Sequence, residues 1–166
     1  MQVSYSAESV LDSTLPRDDL RVLLVYPNTR DVAMANLGFQ QVYSLLNKIE
    51  GVICDRFAMP VGWKPETQYL EREELRSMGL QMHPLEFDVI AFSISFEPDY
   101  LNTVLALKYF GIPVDRKQRD SSFPMISAGG SAIFINPEPL AEGMDVMVMG
   151  EGEGMSERFF GLMFEN

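Results

Sequence analysis

DVIAFSI, residues Asp88 to Ile94, is the most hydrophobic of the strand-sized runs in this 166-residue chain. A continuous aliphatic and β-branched run is typical of a strand buried on both faces of a parallel sheet. A helix is predicted directly after it, because Pro98 can start one and Gly111 can follow its last residue, Phe110. The stretch therefore predicts a β-α unit with the strand at the centre of the molecule.

The same alternation repeats on both sides of this unit. Four more apolar runs predict strands: Arg21–Tyr26, Val52–Phe57, Pro124–Ala128 and Asp145–Met149. Helices are predicted over Asn36–Lys48, Tyr69–Met78 and Met155–Phe164, with at most a short turn over Pro139–Gly143. The predicted stops are Pro27-Asn28 after strand 1 and Gly51 after the first helix. Strands that alternate with helices predict an α/β fold with a five-stranded parallel sheet in three α/β/α layers, flavodoxin-like (Rossmann-like), in the order 2-1-3-4-5.

Composition and charge limit the class of protein and the kinds of partner that this chain can have. The chain is 46% hydrophobic and 22% charged, as soluble globular proteins are. Its formal net charge of −11 argues against direct nucleic-acid binding by this domain. The first 19 residues are polar and acidic and no apolar run could span a bilayer, so we expect a cytoplasmic protein with no membrane partner. The only cysteine, Cys54, lies in an apolar run and is predicted to be buried, and the only histidine, His83, cannot form a histidine-rich metal site.

The loops that follow the predicted strands are rich in glycine, serine and short polar residues. Because the carboxyl ends of parallel strands share one edge, a ligand site is expected there, at the switch between strands 1 and 3. The candidate binding residues are Pro27, Asn28, Asn36, Gly38, Ser93, Ser95, Glu97, Gly129, Gly130, Ser131, Asn136, Glu138, Gly150, Glu151, Gly152 and Glu153.

Each of these residue types also has a purely structural explanation that does not require a ligand. A glycine pair can simply form a tight turn, and Ser93 and Ser95 can satisfy the backbone at a strand end. Glu151 and Glu153 suit the first turn of a helix. No nucleophile, base or metal-ligand cluster is visible, so no catalytic residue and no metal ligand are predicted. A phosphate-binding Gly-Lys-Ser/Thr loop and a dinucleotide motif after strand 1 are also absent.

Three runs carry a family resemblance: VYPNTRDVAMANLGFQQVYSLLN, FDVIAFSISFEPDYLNTVLALKYFGIPV and ISAGGSAIFINPEPLAEGMDVMVMGEGE. Together they resemble the N-terminal, B12-binding-type domain of a group of radical SAM proteins over roughly residues 21–154. The resemblance implies a polar lead-in over residues 1–20 and a helix over 155–166 that leads toward a radical SAM barrel beyond this sequence. That barrel would be the partner of this domain and would carry the [4Fe–4S] cluster and S-adenosylmethionine, which a chain with one cysteine cannot supply.

The resemblance also implies a cofactor, cobalamin. Related domains place the residues that correspond to Ser93, Ser95, Gly129 and Gly130 against its nucleotide tail. Where methionine-synthase-type domains carry a cobalt-ligating histidine, residues 28–33 contain none, so cobalamin would bind without a protein histidine. On this view, a valine in place of Gly130 would fill the tail channel and leave the fold largely intact.

Two alternatives remain open from the sequence. The domain could keep the fold without the cofactor and serve as a docking or substrate-recognition module of the same protein. It could instead be a free-standing flavodoxin-like signalling or flavin domain. The second alternative is disfavoured because Val25 and Tyr26 stand where a receiver-type domain would carry carboxylates.

Overall fold

A five-stranded parallel sheet forms the centre of the computed structural model, which describes residues 19–61, 63 and 75–150. The strands are β1 (Leu20–Thr29), β2 (Val52–Met59), β3 (Val89–Ser93), β4 (Met125–Gly129) and β5 (Val146–Val148). Their order is β2-β1-β3-β4-β5, with every neighbouring pair parallel. The predicted fold class and strand order are confirmed.

Four α-helices connect the strands: α1 (Arg30–Ala35), α2 (Leu37–Leu46), α3 (Asp99–Phe110) and α4 (Ser131–Ile135). Short 3₁₀ helices cover Pro84–Glu86, Arg116–Gln118 and Glu138–Leu140. As predicted, Gly111 ends α3, where its φ of 77° lets the backbone turn without a Cβ clash. None of the helices in the described residues has the length and apolar character needed to span a bilayer.

Strand residues alternate between two covered faces, which gives the three layers. On the α3 face, Leu23, Ile90 and Ile126 pack in one core cluster with residues of α3 and α4. On the α2 face, Val22 and Leu24 pack in a second cluster with residues of α1 and α2. Cys54 is confirmed as buried, and burial raises the pKa of its thiol.

Strand β1 and its connection differ from the prediction. The strand continues through Pro27 and Asn28 to Thr29, with a shift in its pairing with β2 between Tyr26 and Thr29. A bulge of this kind tolerates proline, which has no N–H to give to the ladder. The helix α1 was missed because its six residues, RDVAMA, are too few to show helical periodicity. The helix α2 ends at Leu46 with Asn47 as its cap, while Gly51, at φ 77°, turns the chain into β2.

The helix predicted over Tyr69–Met78 is wrong where the structure describes it. Residues 75–77 are irregular and a turn follows at 78–80, whereas 69–74 lie outside the described residues. The buried carboxylate of Asp55 on β2 accepts hydrogen bonds from the backbone N–H groups of Gly79 and Leu80. This contact with a distant strand fixes the turn. The helix predicted over Met155–Phe164 also lies outside the described residues.

Candidate functional site

A cleft of about 740 Å³ opens at the carboxyl edge of the sheet and extends over the α2 face. One wall consists of Leu24 on β1 together with Val42 and Leu46 on α2. Its floor comprises Ala91 and Ser93 on β3, Ser127 and Gly129 on β4, and Val148 on β5. The volume lies within the range of roughly 300–1,000 Å³ that ligand pockets occupy.

The structure brings eight of the sequence-predicted residues to this cleft: Asn36, Gly38, Ser93, Ser95, Gly129, Gly130, Ser131 and Gly150. Five others are described but do not line it: Pro27, Asn28, Glu97, Asn136 and Glu138. Glu151, Gly152 and Glu153 lie outside the described residues. The segments that meet are therefore the junction of α1 and α2 and the segments that follow or end β3, β4 and β5.

Asn36 organises the mouth of the cleft. Its Oδ1 accepts a hydrogen bond from the backbone N–H of Phe39 at 2.9 Å and so caps α2, which fixes the orientation of the amide. Its Nδ2 then faces the hydroxyl oxygens of Tyr26, at 3.2 Å, and Ser95, at 3.3 Å. The hydroxyl of Ser131 donates to the backbone carbonyl of Ser95 at 3.0 Å. Hydrogen bonds within this group of residues therefore fix the side chains at the mouth of the cleft.

Gly130 has a structural role that the sequence did not reveal. Its φ of 109° and ψ of 174° lie in a region that is essentially restricted to glycine. A Cβ atom at this position would collide with the carbonyl oxygen of Ile94 and lie 2.9 Å from the Ile94 nitrogen. The expectation that valine at Gly130 would leave the fold largely intact is therefore wrong.

Beside the cleft, Asn28 contacts a buried carboxylate instead of lining the site. Its Nδ2 donates to Oδ1 of Asp99 at 2.8 Å, and Asn102 donates to the same oxygen at 3.3 Å. Asp99 is fully buried, and its Oδ2 has no hydrogen-bond partner in the described part of the chain. Burial raises the pKa of this carboxyl, while the hydrogen bonds from Asn28 and Asn102 act in the opposite direction.

The raised pKa predicts how an Asp99→Asn variant changes stability with pH. Between the ordinary pKa of 3.8 and the higher folded-state value, the folded protein binds the proton more tightly than the unfolded chain does. The wild-type protein therefore loses stability as the pH rises through this window. Asparagine keeps the Oδ1 acceptor and carries no charge, so we expect a melting temperature about 2 °C above wild type at pH 7 and a smaller gain at pH 4. Equal gains at the two pH values would contradict this assignment.

The cleft is uncharged even though the chain carries a net charge of −11. No Asp, Glu, Lys, Arg or His is found among the described residues that line it. His83 precedes β3, at the edge where the strands begin, and caps the 3₁₀ helix there through Nδ1. Within the described ranges, no three His, Cys, Asp or Glu side chains are grouped to hold a metal ion.

Sequence reasoning missed several lining residues, of which Ser127 and the aromatic residues Phe96 and Phe134 matter most. Strand alternation could have identified Ser127, because it lies two residues before Gly129 and so on the same face of β4. Several large apolar side chains are exposed: Phe96 (56%) and Phe134 (66%) line the cleft, and Leu37 (84%), Ile135 (75%) and Met149 (52%) are adjacent in sequence to residues that line it. All five come after the carboxyl end of a strand.

The sheet order defines a flavodoxin-like α/β domain, and its cleft lies at the carboxyl edge of the sheet, where such folds place ligand sites. Residues 38–166 match the family described as radical SAM proteins, N-terminal. Because the match covers most of the chain, the protein belongs to this family, which implies a radical SAM domain linked in the same chain. No curated protein matches the sequence.

Proposed function

We propose that this chain is a cobalamin-binding-type domain that holds the cofactor for the linked radical SAM domain. The observation that carries the proposal is the uncharged cleft at the carboxyl edge, with a floor of small side chains and an apolar wall. A large, mostly uncharged cofactor requires apolar surface and a few polar contacts, and both are present there.

The chain's own residues fit such a cofactor. Ser93, Gly129 and Val148 would lie along the part that enters the cleft, and Phe96 and Phe134 would flank the part that stays outside. The only histidine is at the opposite edge of the sheet, so the cobalt would have no histidine ligand from this chain. Bound cobalamin would supply methyl-transfer or electron-transfer chemistry, whereas this domain would orient it and exclude water. The [4Fe–4S] cluster and S-adenosylmethionine are assigned to the linked domain.

The proposal predicts that a bulky side chain at Ser93 weakens cobalamin binding strongly. Ser93 faces the cleft at the end of β3, so a Ser93→Phe ring would occupy the space of the ligand. We expect wild-type protein to carry the visible absorbance of hydroxocobalamin through gel filtration, and the variant to bind at least about tenfold more weakly.

The matched control is Ser122→Phe, the same substitution in the exposed loop before β4, which should leave retention unchanged. Circular dichroism would show that both variants fold. Wild-type protein that emerges without colour and without a spectral shift would refute cobalamin binding.

The exposed apolar residues in and next to the cleft lining favour a second candidate, a docking or substrate-recognition module without the cofactor. Exposed apolar patches mark interaction surfaces, and Leu37 and Ile135 are exposed far beyond what a core side chain would be. The hydroxocobalamin experiment separates the two candidates, because a module without cofactor retains no colour.

A further inference from the structure

The outward side of α3 is apolar where a helix at the surface normally carries polar residues. Leu101, Val104 and Leu105 lie at helical spacings and so share one side of the helix. Leu101 is 61% exposed, and the other two are half-buried. The opposite side of α3, which includes Ala106 and Phe110, is buried in the core. A helix that is apolar on both sides is normally covered on both.

The outward side of α2 shows the usual pattern. Gln41 and Ser44, at the spacing of Leu101 and Val104, are polar and exposed. Because α2 and α3 cover opposite faces of the same sheet, an apolar outer side is not required by this fold. Exposed apolar surface of this kind indicates contact with another protein surface.

The two ends of this apolar side carry opposite charges. Glu97 lies four residues before Leu101, and Lys108 lies three residues after Leu105, so both continue the same side. The carbonyl of Glu97 accepts a hydrogen bond from the N–H of Tyr100 at 3.0 Å, so the helical turn already begins there. Glu97 and Lys108 are exposed, and neither forms an ion pair with another described residue.

We propose that this outward side is a self-association surface, which packs antiparallel against the same side of α3 in a second copy of the chain. We call it the α3 stripe, and its members are Glu97, Leu101, Val104, Leu105 and Lys108. Leu101 and Leu105 lie on either side of the middle of the helix, as Glu97 and Lys108 do. One antiparallel alignment therefore brings leucine against leucine and Glu97 against Lys108 of the second copy. A parallel alignment would bring like charges together.

Twofold symmetry gives each of these contacts twice. The stripe thus combines an apolar centre with two ion pairs at its ends, and it is complementary to itself in charge. This complementarity is the reason to assign a second copy as the partner, even though the chain carries a net charge of −11.

A cavity beside the stripe can receive a side chain from the second copy. The cavity measures about 410 Å³, and Val104 and Leu107 form its α3 wall. Leu140 and Met144 line the other side. In the antiparallel alignment, Leu101 of the second copy faces Val104 and can insert at this wall. The contact remains small, so we expect a weak dimer.

Sedimentation velocity of the 166-residue chain tests the proposal. From about 5 µM to about 1 mM we expect a monomer–dimer equilibrium with a dissociation constant on the order of 100 µM. Leu101→Lys should weaken the dimer at least about tenfold. This variant has one negative charge fewer in total, so general repulsion between copies cannot be the cause. The matched control is Leu37→Lys on α2, where leucine is 84% exposed, and it should leave the equilibrium unchanged.

Charge reversal tests the alignment. Glu97→Lys should weaken the dimer about fivefold, because like charges then meet at both ends. Adding Lys108→Glu to this variant should restore the affinity to within about threefold of wild type. The two residues lie at opposite ends of α3, so such recovery requires a second copy. The helix dipole alone would make the double variant the worse of the two.

Circular dichroism would confirm that all variants fold. A wild-type chain that sediments only as a monomer would overturn the inference and leave the linked radical SAM domain as the partner for this side of α3. Equal effects of Leu101→Lys and Leu37→Lys, or no recovery in the double variant, would overturn it as well. The inference does not depend on cobalamin, because the cleft extends over the opposite face of the sheet.

Discussion

Replacing Gly130 with alanine is expected to lower the free energy of unfolding by about 3 kcal/mol or more, enough to threaten folding of a marginally stable domain. The φ of 109° is unfavourable for any residue with a Cβ atom. The new methyl group would also collide with the backbone of Ile94, which cannot rotate away as a side chain could. Ile94 itself is fixed, since its N–H donates to the carbonyl of Gly129 and its carbonyl accepts from Ala132.

The neighbouring glycine provides the control. A Cβ atom on Gly129 would lie 3.4 Å from the carbonyl oxygen of Val148, which is an ordinary contact, and its φ is not in the left-handed region. Gly129→Ala should therefore change the free energy of unfolding by less than about 1 kcal/mol. Urea denaturation of both variants measures the difference. Similar stability of the two variants would show that the Gly130 backbone is not constrained as described.

Replacing Arg119 with alanine is expected to lower the free energy of unfolding by about 2–3 kcal/mol, because a nearly buried side chain that makes several hydrogen bonds is removed. The side chain is only 4% exposed. Its guanidinium donates to the carbonyl oxygens of Pro113 at 3.0 Å and Gly143 at 2.8 Å, and to the carboxylate of Asp145 at 2.9 Å. Without it, the partly buried carbonyl oxygens of Pro113 and Gly143 would lose their donor, and the partly exposed carboxylate of Asp145 would lose its charged partner.

The Arg119→Ala substitution should also destabilise the edge strand β5. The other carboxylate oxygen of Asp145 accepts from the N–H of Ile126 at 2.7 Å, and the N–H of Asp145 donates to the carbonyl of Ile126 at 2.8 Å. Arg119 thus positions the residue that joins β4 to the start of β5. Hydrogen exchange of amides in β5 should accelerate in the variant.

Two further variants test whether the hydrogen bonds of the Arg119 guanidinium cause this loss of stability. Arg119→Lys keeps the charge but cannot reproduce the forked set of donors, so it should recover only part of the stability. Arg76→Ala should change the free energy of unfolding by less than about 1 kcal/mol, because its pair with Glu86 is long, at 3.8 Å, and about half exposed. Equal effects of Arg119→Ala and Arg76→Ala in urea denaturation would contradict the structural role given to Arg119.

Local patterns predicted some elements of the fold and missed others. All five strands were predicted because buried parallel strands are continuous apolar runs, and α3 was predicted because Pro98 and Gly111 bracket it. The short helices α1 and α4 were missed, since five or six residues carry too little periodicity. The predicted helix does not extend to Met78, because a turn forms there whose backbone N–H groups donate to the carboxylate of Asp55. Asp55 lies more than twenty residues away in the chain.

The sequence likewise predicted some of the residues that line the cleft and missed others. Ser95 and Gly129 were predicted to lie at one edge because the carboxyl ends of parallel strands share it, and both line the cleft there. Asn28 was predicted to bind ligand, but it contacts Asp99 instead. Ser127 was not predicted because it lies within a strand, whereas the search for site residues considered the loops after the strands.

The sequence by itself determined the class of fold, the strand order and the edge on which the glycine and serine loops gather. These follow from periodicity, from turn residues and from the handedness of the connections, all of which are local or general. Only the tertiary structure decided that the backbone of Ile94 fills the space of a Cβ atom at Gly130, that Arg119 supports β5 and that Ser127 lines the cleft. Each of these depends on the distance between residues far apart in the chain, which is set by how the layers pack.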